Sequence, residues 1–198
     1  MIFERIKSGI AVNDREFDKM YSNRLKKVSE FHFTPVNAAK CAARFLVDKP
    51  GARVLDIGSG AGKFCMVGAA STPGHFTGVE QRENLYLLSE ALASRYRLGN
   101  LRFICSNITE IEFKEYDAIY FFNSFFENIV PGCAIDAALT LDKQHYDAYS
   151  AYMKTQLDAM PAGTRLATYF SYSSEIPDSY HLETACFDGK MKLWIKTI

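Results

Sequence analysis

The chain has 198 residues, of which 48% are apolar and 14% aromatic, and its 23 lysines and arginines balance 23 aspartates and glutamates. That length suits one domain with a substantial core, burying roughly 70% of the unfolded surface, and the composition excludes a disordered chain. A net charge of zero excludes the strong positive field of a dedicated nucleic-acid binder.

Residues 1 to about 31 lean helical. Phe17, Tyr21, Leu25 and Val28 recur at three- and four-residue spacing, as one helix face would. Arg24, Lys26 and Lys27 around that stripe read as the solvated side of a capping helix. In Phe33-Thr34-Pro35, threonine is a good N-cap and proline suits the first helical position. A helix from Pro35 to about Val47 follows, closed by Asp48-Lys49-Pro50-Gly51.

The chain then alternates. Strands are expected at Arg53 to Ile57, His75 to Val79, Leu101 to Cys105, Tyr116 to Phe122 and Arg165 to Phe170. Helices are expected at Gly62 to Ala70, Glu83 to Arg97 and about Ala137 to Met160. Such alternation implies a parallel sheet covered on both faces, with every loop that follows a strand on one edge. Tyr180 to Phe187 and Met191 to Thr197 break the pattern: they read as two strands joined at Asp188-Gly189, a hairpin signal.

The run Val54-Leu55-Asp56-Ile57-Gly58-Ser59-Gly60-Ala61-Gly62 carries the clearest functional signal. An apolar strand ends at an acid, three glycines follow at alternate positions, and a helix comes next. Alternating glycines let the backbone turn sharply and let a ligand approach without meeting a Cβ. A P-loop is excluded, because only three residues separate Gly58 from Gly62 and Phe64 follows Lys63. A dinucleotide fingerprint is disfavoured, because Lys63 stands where glycine or alanine is wanted for close helix–strand packing.

The remaining pattern, D-x-G-x-G-x-G, resembles motif I of the class I S-adenosylmethionine (SAM)-dependent methyltransferases. The resemblance covers roughly residues 33 to 198. It implies an α/β, Rossmann-like, doubly wound and mostly parallel seven-stranded sheet with a C-terminal antiparallel hairpin. It also implies SAM as cofactor. Asp56, Gly58, Ser59, Gly60, Ala61 and Gly62 would then hold the methionine part. A carboxylate at the end of the second strand can accept bonds from both ribose hydroxyls, and the family places its ribose acid at the position of Glu80. Gln81, Asn107 and Ile108 would line the adenine, with Asn107 where many members carry an acid.

After the fourth strand, Asn123-Ser124-Phe125-Phe126 is similar to the motif of amino-directed methyltransferases, with Ser124 and Phe125 in place of two prolines. It also looks like the asparagine- and phenylalanine-rich turn of the non-SET histone lysine methyltransferases. A side-chain carbonyl from Asn123 could hold an amine, and the face of Phe126 suits a sulfonium or ammonium. Thr34 matches a Phe-Thr-Pro segment that some nucleic-acid amino-methyltransferases carry near the methionine end of SAM. A helix cap explains it equally well.

The resulting expectation is transfer of a methyl group from SAM to an acceptor, an amine nitrogen of a protein or small molecule among the candidates. Nucleic acid is not favoured as a partner. A SAM-binding scaffold without turnover and a nicotinamide-dependent oxidoreductase are the alternatives. Residues 1–32 form a helical appendage and residues 33–198 the methyltransferase domain. The five scattered cysteines fit a reduced, cytoplasmic setting. Without a C-x-x-C or a spaced histidine pair, no metal site is expected. No long apolar run is present, so neither a signal peptide nor a membrane span is expected. His32 and His145 could lie near the catalytic edge and serve as a base, but each reads first as a surface or satisfied histidine. Tyr146, Tyr149, Tyr152 and Met153 have core-like helical spacing.

Overall fold

A computed structural model describes residues 1–198 with the exception of Ser173. Seven strands form one sheet: β1 (Arg53–Ile57), β2 (His75–Glu80), β3 (Leu101–Cys105), β4 (Ala118–Phe121), β5 (Arg165–Tyr169), β6 (Tyr180–Cys186) and β7 (Met191–Lys196). Their order is β3-β2-β1-β4-β5-β7-β6. β1 to β5 are parallel, and β7 runs antiparallel to both β5 and β6. The order reverses beside β1, between β2 and β4, and a crevice opens at such a switch point beyond the carboxyl ends.

Period-two alternation sorts the strands onto two cores. Val54, Ala118, Tyr120 and Ala167 face one cluster. Leu55, Ile57, Ile119, Phe121 and Leu166 face the other. The first cluster is covered by α1 (Ile2–Lys7), α4 (Val36–Leu46), α5 (Lys63–Ser71) and α6 (Glu83–Tyr96). The second is covered by α7 (Lys143–Asp158), through Met153 and Leu157. The central strands β1, β4 and β5 are buried along nearly their whole length because helices cover both faces.

Three sequence expectations change. The N-terminal stripe does not lie on one helix: α2 (Asp14–Phe17) ends at Phe17, and α3 (Asn23–His32) begins after Ser22, whose side chain accepts from the Leu25 N–H. Phe17 and Tyr21 are buried nonetheless, from two different segments. The last long helix starts at Lys143 rather than Ala137. Asp142 caps it by accepting from the His145 N–H at 2.9 Å, while Asp136 is drawn to Arg82 at 3.0 Å and keeps the preceding residues irregular. Thr34 does not cap α4. The Val36 N–H is taken by Asp14 Oδ1 at 2.9 Å, and the Thr34 hydroxyl pairs with Tyr120 OH at 2.7 Å.

Lys63 is not an obstruction. It is the buried anchor of the N-terminal segment: Nζ lies 2.8 Å from Asp14 Oδ1 and from Asp18 Oδ1, and 3.3 Å from Ser29 Oγ. Tyr21 OH adds a bond to the Ala61 carbonyl at 3.1 Å. These contacts hold α3 over the carboxyl edge of the sheet.

Candidate functional site

A cavity of about 860 Å³ lies at the carboxyl ends of β1, β2 and β4, within the range of small-ligand sites. Its floor is the glycine turn after β1. Gly58, Gly60 and Gly62 have φ of 70°, 55° and 75°, the left-handed region that glycine alone enters freely. A Cβ on Gly58 would stand 2.5 Å from the Ser124 Cβ. The turn is tied to the neighbouring strand by the Ser59 N–H, which donates to the Val79 carbonyl at 2.9 Å.

Glu80 closes β2 and is 4% exposed. Its Oε2 accepts from the Gly60 N–H at 2.9 Å and its Oε1 from the Arg82 N–H at 2.8 Å. Two amides use about half of the lone-pair directions of a carboxylate, which leaves room for two hydroxyl donors. Desolvation raises the Glu80 pKa, and the two amides and Arg82 oppose the rise.

Asp56 is buried at the back of the same wall. Burial pushes its pKa up to about 7, against a bond donated by Cys65 Sγ at 3.3 Å and with a smaller push from the Glu80 charge.

Of the residues expected to bind cofactor, Thr34, Asp56, Gly58, Ser59, Gly60, Glu80, Gln81, Asn107, Ile108 and Asn123 line the cavity, as does Phe126. Ala61 and Gly62 do not. Ala61 is buried and presents its carbonyl to Tyr21, while Gly62 packs on Phe103 and Ser89 and starts α5. The carbonyl of Asn107 is already engaged. Its Oδ1 accepts both the Thr109 N–H at 3.0 Å and the Thr109 hydroxyl at 2.9 Å, capping a short 3-10 turn. Both lone pairs of that oxygen are engaged. The side chain offers its nitrogen instead, to Tyr149 OH at 3.0 Å.

Asn123 sits at φ 37°, a left-handed conformation that asparagine tolerates better than most residues. Its Oδ1 is buried without a hydrogen-bond partner, as is Ser59 Oγ. Buried polar atoms are nearly always paired, so two orphaned atoms on one cavity wall mark a place for a ligand. With the Gly58 and Gly60 cradle and the open directions on Glu80, the donor set fits a nucleoside with hydroxyls and a cationic tail.

Sequence reasoning missed Arg82. It is 6% exposed and lies between three acids: Nη2 donates to Glu127 Oε2 at 2.6 Å, Nε to Asp136 Oδ1 at 3.0 Å, and Nη1 stands 3.9 Å from Glu80 Oε1. Its partners lie 45 and 54 residues away, so no local pattern announces them. Tyr149 packs against the core as expected and also lines the cavity, resting against Phe125 with ring centroids 5.5 Å apart. Of the two candidate histidines, His32 lines the cavity and stands 3.9 Å from Glu127, while His145 pairs with Asp142 at the start of α7.

The strand order, the glycine turn after β1 and the acid that ends β2 together define a protein of the class I SAM-dependent methyltransferase type. A family model described as a methyltransferase domain matches residues 48–178, and the chain belongs to that family. No curated protein matches the sequence significantly.

Among solved structures, the magnesium protoporphyrin IX methyltransferase of Synechocystis PCC 6803, with bound SAM, is similar at TM-score 0.62 and 14% identity, over 91% of this chain and 89% of that one. An RNA methyltransferase from Salinibacter ruber, in complex with S-adenosylhomocysteine, gives 0.59 and 14%, over 83% and 93%. TrmN from Thermus thermophilus gives 0.59 and 18%, over 89% of this chain and 53% of that one. The chain spans about half the length of TrmN and of the [4+2]-cyclase SpnF (47%). At these identities the likeness concerns the fold, which by itself hosts more than one chemistry. Among the described residues, no helix is long and apolar enough to cross a membrane, and no cluster of ligating side chains could hold a metal ion.

Proposed function

We propose that this chain transfers the methyl group of SAM to an amine nitrogen of its acceptor, a small molecule or a protein. The single observation that carries the reading is Glu80, a buried carboxylate on the cavity wall with two fixed amides and two directions unused. It would take the ribose hydroxyls. Gln81, Ile108 and the nitrogen side of Asn107 would border the adenine. Gly58, Ser59 and Gly60 would cradle the methionine end, with Thr34 and Asp56 behind them.

When bound, SAM supplies an already activated methyl on a sulfonium, so the protein need not build a strong nucleophile. The work left to the chain is positioning and exclusion of water, worth up to roughly 7–11 kcal/mol in ideal cases. The Asn123 carbonyl would orient the acceptor N–H, and its fixed dipole needs no reorganisation. The ring of Phe126 would favour positive charge beside it. Residues 1–32 would serve as a helical cover of a catalytic domain comprising residues 33–198.

Calorimetric titration with SAM and S-adenosylhomocysteine tests the reading. Saturable binding of both is expected, and Glu80→Ala should weaken it about tenfold or more, the loss of one or two charge-assisted bonds. A folded sample that takes up neither at high micromolar concentration would overturn it.

A further inference from the structure

The cavity is more than a nucleoside needs, and its outer part has a distinct chemistry. It is walled by α3, by the segment after β4 and by Tyr172. Glu127, in that segment, is 8% exposed. Both hydrogen bonds to its carboxylate fall on one oxygen: Oε2 accepts from Arg82 Nη2 at 2.6 Å and from the Ile135 N–H at 3.2 Å. The other oxygen, Oε1, accepts no hydrogen bond from the described residues; His32 Nδ1 stands 3.9 Å away, beyond hydrogen-bond distance. Four residues earlier, Asn123 Oδ1 is buried with no donor at all. One short stretch of chain therefore brings two acceptor oxygens to the same cavity without supplying a donor to either. Asn123 Oδ1 is the buried one of the two, and an unmatched buried acceptor costs about 1–3 kcal/mol, so its missing partner is a donor, which Glu127 Oε1 is free to share.

Charge narrows the kind of donor. Arg82 is one cation among Glu80, Glu127 and Asp136, of which Glu80 and Glu127 line the cavity, a formal excess of negative charge around it. Lys63 adds nothing, since Asp14 and Asp18 hold it. At the mouth, Lys27 and Glu30 are exposed and opposite in sign. Burial lowers the His32 pKa, partly offset by Glu127, so its imidazole does not supply the missing positive charge at neutral pH. Apolar rings complete the chamber: Phe126, with Phe31 and Tyr172 at its rim. Aromatic faces and unpaired carboxylate oxygens together attract organic cations and repel anions.

We propose that the outer chamber binds a small organic ammonium ion, with Glu127 Oε1 and Asn123 Oδ1 as its hydrogen-bond acceptors. The proposal rests on the methyltransferase reading and narrows its acceptor from any amine to a small molecule that arrives as an ammonium. That nitrogen gives up a proton to Glu127 or water, its freed lone pair then forms the N–CH3 bond as the S–CH3 bond breaks, and S-adenosylhomocysteine leaves. Phosphate-bearing and carboxylate-bearing acceptors are excluded by the same charge.

The test uses the full-length protein saturated with S-adenosylhomocysteine, so that the nucleoside subsite is filled. Benzylammonium, benzyl alcohol and benzoate are titrated calorimetrically; they share a ring and differ in charge. Benzylammonium is expected to bind at least about tenfold more tightly than the alcohol, about 1.4 kcal/mol, and benzoate not at all. In Glu127→Gln that preference should shrink to about threefold or less. Equal binding of the three probes, tighter binding of benzoate, or no benzylammonium binding by a protein that binds S-adenosylhomocysteine would overturn the proposal. An undiminished preference in Glu127→Gln would overturn the role of Glu127. Should that variant not fold, the three probes on the natural sequence still decide. Failure to bind S-adenosylhomocysteine is a separate result: it removes the methyltransferase reading and this proposal with it.

Discussion

Asp56 is the residue with the sharpest consequence. Burial holds its pKa at about 7 in the folded protein, against an ordinary 3.8. Between these values the folded state keeps a proton that the unfolded state has lost. Stability must therefore fall as pH rises through that window, and the loss is complete above about 7. Asp56→Asn is neutral throughout and escapes the penalty. In denaturant titrations from about pH 4 to 7, the variant should gain on the natural protein, by a few kcal/mol at full extent. Parallel stability curves would show that Asp56 ionises in the folded state as a surface acid does. The acid, the glycines and Glu80 were legible because a turn between strand and helix is a local pattern. Arg82 was not, since it depends on distant partners.

At the level of elements, the helices and strands of the alternating region fall within two residues of their expected limits, apart from α7, which starts six residues late. Gly and Pro punctuate that region at nearly every boundary. The N-terminal stretch was misread for a physical reason: Phe17 and Tyr21 reach a common core from separate segments, and helical spacing cannot distinguish that from one continuous face. What places α3 is Lys63, in a buried cluster with Asp14, Asp18 and Ser29. Removing one partner of a buried pair costs about 3–5 kcal/mol, and less where a partner is half exposed, as Asp14 is. Lys63→Met should therefore destabilise the protein by about 3 kcal/mol, read from denaturant midpoints. It should also speed amide hydrogen exchange across α2 and α3 more than in the strands. Uniform acceleration would mean that Lys63 supports the whole fold and not this segment.

For the molecule as a whole, the doubly covered sheet and the closing hairpin followed from the order of apolar runs and from Asp188-Gly189. Phe187, Asp188 and Gly189 all have positive φ, at 54°, 56° and 77°. Phe3, Ile6, Phe17 and Tyr21 belong to the same apolar cluster as Phe64, Phe76 and Tyr120. A shared core predicts shared cooperativity. Thermal unfolding followed by far- and near-ultraviolet circular dichroism should give one coincident transition. A separate earlier step confined to helix signal would show that the first helices melt independently.

The anchors of α3 and its flanks have a consequence for synthesis. Lys63, Ala61 and Tyr120 all follow, in the chain, the segment that they fasten. A ribosome releases residues 1–34 long before Tyr120, so the rings of Phe3, Phe17, Tyr21 and Phe33 wait without the sheet they will rest on. The roof of the pocket is made before the residues that fasten it.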